Sequence, residues 1–361
     1  MKGFFKILLF ILVAIVSWGV YGPMLKEGQT EMHGTWRPFM CVGLAYFVIA
    51  VVVPLILLQL FGEKGHWSGS GVLWSIIAGI CGAVGALGVI LAAKNGGNML
   101  YVMPLVFGGA PVVNSIIAIY LAGAQKQVGP IFLAGLIVVI AGAVTVMLTA
   151  PRPQHPAVAT TTSSAANTAS PPAAESRPST DYTKLALVYL FTALTALSFG
   201  CYGPALHKGG LAMAGSRLRP FLCVGVAYFL VAVLVPGMIL RVVTEPSDWG
   251  NWGTAWSFGG GAVGAIGALG VIMAFTLGGK PVYVMPLVFG GAPVINTFVA
   301  LTLFKLWGGI GPIFVAGLIL TAAGAVTVLV FAPRAHASAH GTTPPTTPPP
   351  PRKTEPKRES V

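Results

Sequence analysis

Ten long runs without a charged side chain dominate the chain, at about 7–25, 38–61, 70–93, 99–123, 130–150, 186–206, 220–240, 253–277, 281–304 and 311–332. Each reaches the roughly 20 residues that a helix needs to cross a bilayer. Inside a membrane every backbone polar group has to be satisfied within the protein, which restricts such runs to helices. The sequence therefore predicts an all-α membrane protein with ten transmembrane helices. Composition agrees: 8% of the residues are charged and 55% hydrophobic, where a soluble domain carries roughly a quarter charged residues. The connecting segments are too short to hold a water-soluble catalytic domain.

The net charge of +12 would point to nucleic acid in a soluble protein. Here the Lys and Arg residues sit in loops, linker and tail, so they read as topology signals and lipid-headgroup contacts, and no nucleic-acid partner is expected. Cys41, Cys81, Cys201 and Cys223 all fall within predicted spans and imply no disulfide framework. The opening MKGFFKILLFILVAIVSWG resembles a secretory signal. No small-residue cleavage site follows it, however, and a matching span lies mid-chain at 186–206, so it is read as the first transmembrane helix.

The chain is duplicated. YVMPLVFGGAPVVN at Tyr101–Asn114 recurs as YVMPLVFGGAPVIN at Tyr283–Asn296, Arg37-Pro38-Phe39 as Arg219-Pro220-Phe221, and SWGVYGP at Ser17 as SFGCYGP at Ser198. Five spans per half is an odd number, so two halves of one fold must enter the membrane in opposite directions, as inverted repeats. The expected organisation is a first five-helix repeat over 1–150, an Ala/Thr/Ser/Pro linker over 151–183, a second repeat over 184–333 and a disordered Pro-rich basic tail over 334–361. Counted with the N-terminus inside, the basic residues favour cytoplasmic termini, largely through the tail.

On these features the chain resembles the drug/metabolite transporter superfamily, whose larger members are two EamA-type five-helix repeats of inverted topology. The resemblance covers about 3–150 and 184–333 and rests on architecture: ten helices, short loops, and fourth and ninth helices rich in Pro and Gly. It implies export or uptake of small metabolites by alternating access through a central cavity, in a cell (inner) membrane. The glutamate that small multidrug members keep in their first helix has no counterpart in ILLFILVAIVSWG.

The repeated stretch is the candidate site. Proline has no amide hydrogen, so Pro104 and Pro111 free the carbonyls of Leu100 and Phe107, and Pro286 and Pro293 those of Val282 and Phe289. At 100° per residue Tyr101, Pro104, Gly108, Pro111 and Ser115 share a face flanked by Phe107 and Asn114. Gly/Pro-interrupted helices at matching places in two halves are the best sequence pointer to a transporter site. The candidate substrate-binding residues are thus Tyr101, Pro104, Gly108, Pro111 and Asn114, with Tyr283, Pro286, Gly290, Pro293 and Asn296, joined by Tyr21 and Tyr202 of the first helices. Tyr46 and Tyr228 serve equally well as a hydrogen-bonding pair or as packing. The competing reading of the stretch is that its glycines and prolines serve helix packing and its asparagines bond a neighbouring backbone.

Glycine at every third position, Gly79 to Gly88 and Gly261 to Gly270, reads as close helix packing. Arg37, Arg219, Glu63 and Glu245 border the second helices and read as interfacial residues. Lys94 and Lys280 are the candidates for an anionic substrate. The spans hold no Asp, Glu or His, and no nucleophile–base pair, metal cluster or phosphate loop is present, so neither enzyme activity nor a cofactor is expected. The reading is a transporter or facilitator of a small neutral or zwitterionic metabolite, as a monomer or a homodimer. The alternative is a non-transporting scaffold or sensor acting through the basic Pro-rich tail.

Overall fold

The computed structural model describes residues 2–121, 123, 125–151, 182–279 and 281–333, with side chains absent from the description at 2, 3 and 281–283. The linker and tail expected around 152–181 and 334–361 lie outside the described residues, as does Lys280. Among the described residues ten helices are long and apolar enough to span a membrane. They are α1 (Lys2–Met32), α2 (Trp36–Phe61), α3 (Gly69–Lys94), α4 (Met99–Leu121), α5 (Pro130–Thr149), α6 (Tyr182–Ala212), α7 (Leu218–Val242), α8 (Asn251–Thr276), α9 (Pro281–Leu303) and α10 (Pro312–Phe331). The chain is a multi-pass membrane protein.

Local chemistry sets the helix ends. Ser68 accepts from the Gly71 amide at the start of α3, and Pro130 and Pro312 open α5 and α10 where a missing amide costs nothing. Gly62, at φ +61°, ends α2 in a backbone region that residues with a Cβ seldom enter.

Three features differ from the sequence reading. The segment LKEGQTEM, most of which lies beyond the first apolar run at about 7–25, continues α1 to Met32. Its Lys, Glu, Gln and Met are good helix formers, and Gln29 ties the added turns to α3 by donating to the Ile90 carbonyl at 2.9 Å. The helix then stops at His33, whose φ of +52° closes it in a left-handed turn. Secondly, α2 and α7 each contain a π-helical turn, Val48–Val52 and Leu230–Leu234, just before Pro54 and Pro236. Proline removes a donor and crowds the preceding turn, and a widened turn absorbs both. Thirdly, α4 and α9 stay helical through Pro104, Pro111, Pro286 and Pro293 without a break.

The halves interlock. α1 packs on α8 and α9 of the other half, and α6 packs on α3 and α4. α5 pairs with α10, α4 with α9 and α2 with α7. The contacts repeat residue by residue. A methyl group added at Gly19 would strike Ile295, and one at Gly200 would strike the equivalent Val113; Gly28 meets Ser257 as Gly209 meets Ser75. The glycine ribbons serve this contact: a Cβ on Gly79 would lie 2.5 Å from the Ala227 Cβ, and one on Gly261 2.6 Å from the Val42 Cα. In a membrane, where burial of apolar surface drives little association, such close backbone approach supplies much of the packing energy.

Candidate functional site

Equivalent aromatic residues meet where the halves join. Tyr46 of α2 stacks on Tyr228 of α7 with ring centroids 3.7 Å apart and planes 2° from parallel. Phe47 meets Phe229 at 4.9 Å, and Phe107 of α4 meets Phe289 of α9 at 6.2 Å. Tyr21 is 5% exposed and packs against Gly264 of α8, where an added Cβ would lie 3.0 Å from its ring. Tyrosines 21, 46 and 228 are buried and Tyr202 is half-buried with its hydroxyl enclosed, and the four form one cluster that brings hydroxyls into an otherwise apolar interior. The Tyr46 and Tyr228 rings stack face to face across the junction of the halves. The surrounding helices hold them so.

The repeated stretch lies beside this cluster. Pro104, Gly108, Pro111, Pro286 and Pro293 are buried, while Tyr101, Asn114 and Gly290 are half-buried. Tyr283 belongs to α9 by its backbone, with its side chain outside the described residues. Asn296 is fully buried and donates from Nδ2 to the Met99 carbonyl of α4 at 3.0 Å, joining the halves. The glycines face neighbouring helices: a Cβ on Gly108 would lie 2.7 Å from Thr321 Cγ2, and one on Gly290 3.1 Å from Val326 Cγ2. Asn114 sits with its Oδ1 against Gly203 of α6, and Asn296 with its Oδ1 against Gly22 of α1. The structure thus brings Phe107, Asn296 and the start of α4 together with α1 and α9, and sets Gly108 and Gly290 against α10.

Glu63 and Glu245, read from the sequence as interfacial residues, form a reciprocal pair of caps. The Glu245 carboxylate accepts from the backbone amides of Thr35, Trp36 and Arg37 at the start of α2, and from Ser247 Oγ at 2.9 Å. Arg37 Nη1 donates to Ser247 Oγ at 2.8 Å. At the opposite ends of the same helices, the Glu63 carboxylate accepts from Ser216 Oγ and from the amides of Arg217 and Leu218 at the start of α7. Arg219 pairs with Glu63 at 3.7 Å. Each carboxylate satisfies amides that a helix start leaves without partners and complements its positive end. Burial raises the Glu245 pKa, but the amides and the Ser247 hydroxyl outweigh it and hold the carboxyl below its ordinary range. α2 and α7 therefore lie head to tail, tied at both ends.

Above the Glu245 cap lies an open cleft of about 350 Å³, lined by Lys26, Gln29, His33, Thr35, Lys94 and Glu245 among others. Lys26 Nζ donates to the Ala93 carbonyl at 3.1 Å. Of the two lysines singled out in the sequence, Lys94 thus lines this cleft. Lys26, Gln29 and Thr35 were not singled out. The available signal was the spacing of Lys26 and Gln29, three apart on one face of a helix that continues past its apolar run. For the caps the signal was survival of the duplication: Glu63 matches Glu245, Thr35 matches Ser216 and Arg37 matches Arg219. No protein-family model matches the chain, and no curated protein matches it.

Proposed function

We propose that the protein is a secondary transporter or facilitator that moves a small neutral or zwitterionic solute by alternating access between two inverted five-helix repeats, as its resemblance to the drug/metabolite transporter superfamily implies. The observation that carries this reading is the residue-by-residue reciprocity of the contacts between halves, with equivalent helices α2 and α7 head to tail. An interface built from like parts of opposite direction has two near-equivalent arrangements, one opening to each side, which is what alternating access requires. The tyrosine cluster supplies neutral hydrogen-bonding groups at that interface, joined on this reading by the proline-freed carbonyls of α4 and α9, while Glu27, Glu31 and His207 lie in the last turns of α1 and α6. Neutral groups recognise hydroxyls, amides and zwitterions better than a net charge.

The reading is tested by reconstituting the purified full chain in liposomes and measuring uptake of labelled amino acids and sugars. Saturable uptake of one of them, lost on Tyr46→Ala in a protein that still purifies folded, is the expected result. Absence of flux across the panel, in both directions and with or without an imposed proton gradient, overturns it.

A further inference from the structure

The cleft at the end of α1 combines charges of both signs with buried polar atoms that lack partners. Gln29 is 6% exposed; its Nε2 is bonded to the Ile90 carbonyl, and its Oε1 has no hydrogen-bond partner. Thr35 is 1% exposed, and its Oγ1 likewise has none. An unmet buried polar atom is costly to a fold, so a fold keeps two in one wall only against some compensation. Lys26 uses one ammonium proton on the Ala93 carbonyl and retains two, and Lys94 stands exposed on the rim.

The duplication separates the needs of the fold from those of the site. Both halves pack alike, yet the positions equivalent to Lys26, Gln29, His33 and Lys94 are His207, Gly210, Ala214 and Thr276. The mirrored end holds together without this polar set, so packing does not require it here.

We infer that this cleft binds a small α-amino-acid-like zwitterion, its carboxylate at Lys26 and Lys94 and its ammonium at Gln29 Oε1, Thr35 Oγ1 and the Glu245 edge. A lone anion would leave Gln29 Oε1 unmet and face Glu245; a lone cation would face two lysines. The site rests on the transport reading only for its role as a vestibule, since binding here is independent of whether the solute crosses.

The probes are glycine, leucine, glutamine and phenylalanine, each beside its deaminated acid and its decarboxylated amine, measured by thermal shift and calorimetry on the detergent-purified full chain. At least one amino acid is expected to bind saturably, and both of its fragments about tenfold or more weakly, the equivalent of one charge-assisted bond. Lys26→Met should abolish the preference for the amino acid over its amine, and Gln29→Leu the preference over its acid. Lys94→Met alters an exposed residue and should weaken binding without moving the melting temperature, which keeps the test decisive if the buried variants fail to fold. Lack of saturable binding by all four amino acids, or binding that Lys94→Met and the folded buried variants leave unchanged, overturns the inference. Binding here without flux in liposomes would refute transport and leave the site standing; flux without binding here would do the reverse.

Discussion

Replacing Glu245 by glutamine removes one acceptor oxygen and the charge while keeping size and shape. In the native protein the two carboxylate oxygens cover the Thr35 and Trp36 amides, reach the Arg37 amide at 3.4 Å and hold Ser247 at 2.9 Å. The glutamine amide would turn a donor toward a row of donors, so one of these bonds is lost outright and the rest lose their ionic character. A bond to a charged group contributes about 1.5–3 kcal/mol, and a carboxylate at a helix start a further 0.3–1 kcal/mol. The expected loss is about 2–4 kcal/mol, or roughly 4–8 °C in melting temperature at about 2 °C per kcal/mol. The pH dependence carries its own sign. The folded pKa of Glu245 is lowered, chiefly because the Thr35, Trp36 and Arg37 amides and Ser247 outweigh the burial that would raise it. Its contribution is then complete above the unfolded value of about 4.3 and is lost as pH falls through the lower folded value. Melting curves of the detergent-purified protein and of Glu245→Gln, recorded between about pH 2 and 8, should stay separated above about pH 5 and converge in stronger acid. Melting temperatures within 1 °C of each other at neutral pH, or curves that converge toward alkaline pH, would refute the capping argument.

Asn296→Ala should lower stability by about 1–3 kcal/mol by leaving the Met99 carbonyl short of its cross-half donor, and Asn114→Ala, at a half-buried position, by less, as read from melting temperatures. Gly79→Val and Gly261→Val should each prevent stable assembly of the halves, because a Cβ already falls within 2.6 Å of atoms in the opposite half; size-exclusion profiles and yield after extraction are the readout. Tyr46→Phe keeps the ring and removes one hydroxyl from the cluster, so it should leave the melting temperature within a few degrees and reduce flux, whereas Tyr46→Ala should cost about 0.5–1.5 kcal/mol for the stack in addition to the lost burial.

The ten helices were legible because length and apolarity are one-dimensional properties. Their boundaries followed where punctuation was local, as at Pro130 and Pro312, and failed where polar residues extend a helix out of its apolar run, as at LKEGQTEM. The widened turns before Pro54 and Pro236 were missed because proline predicts a disturbance without fixing whether the helix kinks or inserts a residue. At the site, the duplication pointed to the fourth and ninth helices but not to what they touch. The Asn296–Met99 bond, the Tyr46–Tyr228 stack and the Glu63 and Glu245 caps join residues far apart in the chain, and a single sequence holds no record of such pairings. For the stack and the caps the trace was that both partners persist in both halves, whereas Met99 is matched by Pro281; the pattern is visible only once the halves are known to face one another.

The arrangement of those halves underlies the whole account, and His33 and Ala214 report on it. They are equivalent residues, both exposed, each closing the turn after the first helix of its half with positive φ, 52° and 56°. In a cysteine-free background, His33→Cys and Ala214→Cys, placed singly in sealed vesicles of known orientation, are reacted with a membrane-impermeant maleimide. Inverted repeats predict labelling from opposite sides of the membrane; labelling of both cysteines from the same side would contradict the account.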